Sequence, residues 1–201
     1  MVKNGTTATA AVPPTCAEVL AEACNYNPVP WLMEHLDRKH TKGKKRKTNK
    51  RRLYVNMPCA FDIETSRVCV DANDNPHTIM YIWQCQLGLD ITIIGRTWDE
   101  WLNFTGAISD YLQANSGPQG DWFLCMYVHN LAHEFQYLSG VLDFSPGDVF
   151  ASKPRRVLKC DNRAIEYRCS MRHSNLSLDA WGKQLGAPHA KLTGALDYSK
   201  V

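Results

Sequence analysis

The chain has 201 residues, enough for one domain of ordinary size plus an extension. With 44 % hydrophobic residues and six Trp it can bury a core, and no apolar run approaches the ~20 residues of a membrane span, so a membrane partner is not expected. The formal charge of +3 hides an asymmetry: residues 38–52 hold ten Lys or Arg and no acid, leaving 13 basic against 20 acidic residues elsewhere, a net −7.

Residues 1–11 contain one Lys and no apolar stretch, which argues against a signal peptide. Eight Cys are scattered without a C-x-x-C pair, and several sit inside apolar runs. That pattern reads as reduced, buried thiols in a cytoplasmic protein, not as a disulfide frame or a zinc site.

In chain order, residues 1–14 are small and polar and read as disordered. Thr15 and Glu18 fit a capping box, predicting a short helix to about residue 24; a second is expected over residues 31–39. The stretch RKHTKGKKRKTNKRR (38–52) cannot bury itself and is expected as a solvated linker, either tracking phosphates or only aiding solubility. Residues 1–52 are thus read as an N-terminal extension and 53–201 as the main domain.

From residue 53 the pattern changes. Strands are predicted over 54–64, 78–88 and 91–96, joined by turns at 70–77 and 89–90. Residues 97–113 have helical apolar spacing, and 115–120 read as a loop. The apolar run 122–128 reads as a strand buried on both faces, followed by a helix over 131–142. Short strands at 148–151, 156–160 and 164–169 and a helix over 177–185 complete an α/β pattern of mixed sheet and flanking helices.

Two stretches carry chemistry. In FDIETS (61–66), Asp62 and Glu64 leave the same side of a strand roughly 7 Å apart. Carboxylates that close repel unless a cation lies between them, and such hard oxygen donors suit Mg²⁺ or Mn²⁺. A surface strand end would carry the same pair without function. The second stretch is YVHNLAHEFQYL (127–138), where a strand opens into a helix, the place at which α/β sheets hold ligands. There Asn130 suits a hydrogen bond to a nucleotide, and Glu134 can join a metal cluster. His129, His133 and Glu134 also permit a zinc reading, although the H-E-x-x-H order is absent, and the two His equally suit packing.

Taken in order with DVFASKPRRVLKC (148–160), SNLSLDAW (174–181) and KLTGALDYSK (191–200), these stretches resemble the exonuclease region of family B DNA polymerases. The likeness is to the protein-primed type of phages, plasmids, viruses and organelles, and it covers about residues 54–200. It implies a ribonuclease H-like 3′–5′ exonuclease fold and a proofreading role in DNA replication. The implied chemistry is phosphodiester hydrolysis with two Mg²⁺ or Mn²⁺ ions. Asp62, Glu64 and Glu134 match the metal ligands, with Glu134 standing where the family usually has Asp. Thr65 and Asn130 match contacts to the single-stranded DNA 3′ end. His133 stands where many members place an aromatic on the terminal base, and Ser177 and Leu178 match a single-strand contact motif. Lys191 and Tyr198 approximate a downstream Lys and Tyr near the scissile phosphate. Read without the likeness, Leu178 and Trp181 suit a core and Lys191 a solvated charge.

The family's third motif is absent: no Y-x-x-x-D or H-x-x-x-x-D occurs. The expectation is an N-terminal piece of a polymerase, truncated at its C-terminal end, with terminal protein or a separate polymerase chain as a further partner. Two other classes stay open: an inactive module that binds single-stranded DNA or a polymerase, and a free-standing ribonuclease H-type enzyme acting on RNA.

Overall fold

The computed structural model describes residues 20–36, 51–66, 69–70, 73–89 and 91–187. In chain order its elements are β1 (Leu20–Glu22), α1 (Val29–His35), β2 (Arg52–Tyr54), β3 (Cys59–Thr65), β4 (Cys69–Val70), β5 (Pro76–His77), β6 (Met80–Leu87) and β7 (Ile91–Gly95). There follow α2 (Trp98–Ala114), β8 (Asp121–Val128), α3 (Leu131–Leu138), β9 (Val149–Ala151), β10 (Val157–Asn162), β11 (Ile165–Cys169), α4 (Met171–Ser174) and α5 (Leu178–Leu185).

Alternating side chains lay down the sheet. β3 buries Cys59, Phe61 and Ile63 and turns Ala60, Asp62 and Glu64 the other way. β8 buries Trp122, Leu124, Met126 and Val128 and leaves its odd-numbered residues half-buried. The strand expected to be buried on both faces therefore has one tight face and one looser face. Among the described residues nine strands form one mixed sheet, in the order β1-β7-β6-β3-β8-β11-β10-β9, with β2 also beside β8. β3 and β11 run parallel to β8, and β6 runs antiparallel to β3. The chain is thus a mixed α/β fold.

Aromatic rings fill the tight face. Phe61 stacks on Trp101 of α2 at 4.2 Å, and Trp83 meets Trp101 edge-on at 4.9 Å. The Trp83 indole donates to the Thr97 carbonyl at 2.9 Å. Gly95 leaves the space that this ring needs, since a Cβ there would lie 2.2 Å from Trp83 Cζ2. α2 begins where Thr97 and Glu100 form a capping box.

Several expected elements differ. Residues 20–22 form an edge strand on β7 where a helix was expected; the edge offers unpaired backbone groups, and pairing overrides the helix propensity of Leu, Ala and Glu. The second helix ends at His35, and residues 37–50 lie outside the described residues, as do 1–19. The single strand expected over 54–64 is two. Between its contacts with β8 the chain advances from Tyr54 to Cys59 while β8 advances only from Phe123 to Met126. The extra residues loop out at Asn56, Met57 and Pro58, and Pro58 has no amide to give a ladder. Residues 69–70 and 76–77 pair as a small hairpin inside the expected turn. α3 stops at Leu138, short of the expected 142.

Two further points concern side chains. Arg52, expected in a solvated linker, belongs to β2 and its guanidinium reaches Asp161 at 2.7 Å and Glu166 at 2.5 Å. Six described Cys are free, four of them buried and Cys24 exposed. No helix among the described residues is long and apolar enough to cross a membrane.

Candidate functional site

Because β3, β8 and β11 are parallel, their C-terminal ends open on one edge of the sheet. Ala60 is in register with Tyr127, so Asp62 falls just beyond the end of β8, beside the turn into α3. Asn130 makes that turn with φ 67°, a left-handed conformation that Asn tolerates better than most residues. Its carbonyl accepts from the His133 amide at 2.8 Å, while its side chain is exposed and does not cap the helix.

Glu134 lies on the buried stripe of α3 with Leu131 and Leu138, and is 3 % exposed. Burial pushes its carboxyl up to about 7; the nearby negative charge of Asp62 adds a smaller push, and its own backbone amide opposes both. Its Oε2 is buried without a hydrogen-bond donor. Asp62 is half-buried, and its Oδ2 accepts a long contact, 3.4 Å, from the Gln84 amide directly across the β3–β6 ladder. Glu64 shares the Asp62 face of β3 but is exposed. Past it the ladder slips: Glu64 is opposite Ile82 but Thr65 is opposite Met80, a bulge beyond which pairing resumes, the Ser66 amide donating to the Ile79 carbonyl at 2.8 Å.

The structure thus brings Asp62 and Glu134 together and leaves Glu64 toward solvent. Among the described residues no group of three His, Cys, Asp or Glu side chains is assembled as a metal site. Neither His129, His133 and Glu134 nor the three expected carboxylates make such a group; the carboxylates stand as a pair plus one. The pair's chemistry still suits a hard divalent cation. Both members offer carboxylate oxygens, one oxygen lacks a donor, and a cation would convert their mutual repulsion into attraction.

The remaining expected contacts divide. His133 is exposed and meets the Tyr137 ring edge-on at 5.5 Å; the Tyr137 hydroxyl bonds that of Thr78 ahead of β6. Ser177 Oγ caps α5 by accepting from the Ala180 amide at 3.2 Å. Leu178 is 50 % exposed and Trp181 half-buried, so neither is core. Lys191 and Tyr198 lie outside the described residues.

Three features have no counterpart in the sequence reading. Gln84 is one, and only the register of β3 against β6 would have shown it facing Asp62. The second is Trp181, whose ring lies roughly parallel to those of His129 at 6.2 Å and His173 at 6.3 Å, tying α4 and α5 to the end of β8. The His129 Nδ1 and Ser170 Oγ are also bonded, at 3.2 Å. The third is the Tyr137–Thr78 link, for which no local signal exists.

No protein-family model matches the chain, and no curated protein matches it. Among solved structures it is similar to Phi29 DNA polymerase complexed with primer-template DNA, in a post-translocation binary complex, at 13 % identity and a TM-score of 0.49. The same polymerase with primer-template DNA and incoming nucleotide substrates gives the same values. Its complex with single-stranded DNA gives 13 % identity and a TM-score of 0.45. In all three the match covers 70 % of this chain and 25 % of the polymerase, so the chain spans about a quarter of the length of the polymerase chains it matches.

Proposed function

We propose that the chain is the 3′–5′ exonuclease portion of a type B DNA polymerase of the protein-primed kind, with a ribonuclease H-like fold, acting on the single-stranded 3′ end of DNA. The observation that carries this reading is the Asp62–Glu134 pair at the C-terminal ends of parallel strands, with Glu134 driven up to about 7 and one oxygen without a donor. The ordered motifs from FDIETS to SNLSLDAW support the same reading.

In this reading Asp62 and Glu134, joined by Glu64 from the same face of β3, hold Mg²⁺ or Mn²⁺. When bound, such ions stabilise negative charge on a phosphodiester as it is cleaved. Gln84 holds the Asp62 carboxylate in place. Glu134 is the proton-sensitive member: when it carries a proton its charge is lost and the pair binds cations weakly. Asn130, Thr65 and His133 contact the strand end, and Ser177 sets the position of Leu178 and Trp181 by capping α5. Terminal protein or a separate polymerase chain is the proposed protein partner, and the cytoplasm of a host cell the proposed location.

A second reading is favoured by one observation: three carboxylates are not assembled among the described residues. In it the chain is an inactive module that binds single-stranded DNA. The experiment that separates the two is release of nucleotides from the 3′ end of labelled single-stranded DNA in Mg²⁺ or Mn²⁺. The nuclease reading expects metal-dependent release that Asp62→Ala and Glu134→Ala abolish. Equal release by wild type and both variants, or none by any, sinks it.

A further inference from the structure

The looser face of the sheet holds a second feature. Ala60 sits on β3, an interior strand between β6 and β8, in register with Gln86 and Tyr127, yet it is exposed. An interior alanine exposed in this way marks an open sheet face. Register places Tyr54, Phe123 and Tyr127 on that face together with Arg52, Lys159 and Arg168.

These six side chains form rings backed by cations. The Arg52 guanidinium lies 4.4 Å over the Phe123 ring and that of Arg168 5.0 Å over Tyr54. Beneath them Glu166 is fully buried, accepting from Arg52, Arg168 and the Tyr54 hydroxyl, with Lys159 Nζ 3.4 Å away. Asp161 takes Arg52 and Lys159 as well. Asp121 is in register with Arg52 on the same face, so three cations stand with three carboxylates there, and both guanidiniums remain 39 % exposed. Held by carboxylate and ring, they are ordered in advance, so a ligand gains their donors at little entropic cost.

What covers this face is indicated by charge and direction. Arg52, the last of the ten Lys and Arg in residues 38–52 of the sequence, opens β2 on this face. At the other end Tyr127 meets His173 edge-on at 5.7 Å, and His173 stacks on Trp181 and so leads through His129 to the turn beside Asp62. Phe123 and Tyr127 are roughly 13 Å apart on one face of β8. Rings interleaved with cations, running from Arg52 to a carboxylate pair, suit a single strand, whose bases stack and whose phosphates take the cations.

We propose that the open face binds single-stranded DNA, which runs from the carboxylate pair along β8 to Arg52 and Tyr54 of β2; the direction of the strand rests on the nuclease reading, whereas binding to the face does not. The test is anisotropy of labelled oligothymidylate with the full chain in EDTA, at several salt concentrations. Ala60→Lys, exposed and clear of the core, should bind more tightly and steepen the dependence of log K on log salt by about 0.7, one further phosphate contact. Ala60→Glu should bind more weakly, and Tyr127→Leu, keeping an apolar side chain but no ring, should lose about 5-fold or more. Thermal melts confirm that each variant folds. If the two Ala60 variants bind like wild type, the face is covered by something other than DNA and the proposal fails, whatever Tyr127→Leu does. EDTA removes the cation, so a chain that releases no nucleotide leaves this result intact and counts against the nuclease reading alone.

Discussion

Glu134 is the most informative residue to perturb, because its burial with one oxygen lacking a donor sets a stability cost that depends on pH. Its carboxyl is pushed from the usual 4.5 to about 7, first by burial and then by Asp62. The folded chain therefore binds a proton there that the unfolded chain has released, and stability falls as pH rises through that window. Every tenfold gain in proton affinity on folding corresponds to ~1.4 kcal/mol, so the penalty reaches about 3 kcal/mol above pH 7 and is absent below 4.5. Glu134→Gln keeps the shape and cannot ionise. In EDTA, urea denaturation of wild type and variant from pH 4.5 to 8 should give a stability difference that moves by up to about 3 kcal/mol in favour of Gln as pH rises. Other titrating groups cancel in the difference, and any fixed cost of the amide does not change with pH. A difference that is flat across the range would refute the claim that Glu134 is buried next to an uncompensated negative charge.

Three other outcomes follow from the geometry. Glu166→Gln leaves Arg168 without a carboxylate and Arg52 and Lys159 with Asp161 alone, so it should cost about 3 kcal/mol near neutral pH in urea denaturation, the low end for breaking a buried pair because the guanidiniums reach solvent. Burial pushes the Glu166 carboxyl up, but the Tyr54 hydroxyl, Arg168 and Lys159 outweigh it and hold it below the ordinary value; its contribution is present above the unfolded pKa and should fade as pH falls through the carboxyl range. Gly95→Ala forces a Cβ to 2.2 Å from a fully buried indole and should cost about 3 kcal/mol by thermal or chemical melting, whereas a neutral result would mean Trp83 has another place to go. Deleting residues 38–50, which spares Arg52, should flatten the salt dependence of single-strand binding by a slope of about 4 if six of its charges touch phosphates; an unchanged slope makes the segment a solubilising linker.

How far the chain could be read beforehand depended on whether each signal was local. Asp62 and Glu64 share a face because strand period is two, and helical apolar spacing over residues 97–113 marks α2, so both were legible. β1 was not: Leu20, Ala21 and Glu22 favour a helix, and their strand exists only because β7 offers an edge. The break between β2 and β3 follows from Pro58, whose missing amide hydrogen is a local signal that the reading of 54–64 as one strand passed over. Arg52 was hidden at the end of a run of cations, since nothing near it in sequence names Glu166, more than a hundred residues away, as its partner. Gln84 against Asp62 and the contacts of Trp181 with two imidazoles are likewise products of register and packing. In the candidate site, types and order were readable, whereas which carboxylates meet was set by where α3 leaves β8.

The central claim is that Asp62 and Glu134 form one cation-binding pair. Its most direct test is a Mn²⁺ titration of the isotopically labelled chain at pH 8, following paramagnetic broadening of backbone signals. The account predicts broadening first around Asp62 and at the head of α3, near Asn130 and Glu134, lost in Asp62→Asn and in Glu134→Gln alike. Broadening at residue 62 that persists in Glu134→Gln, or none at the head of α3 in wild type, would contradict it.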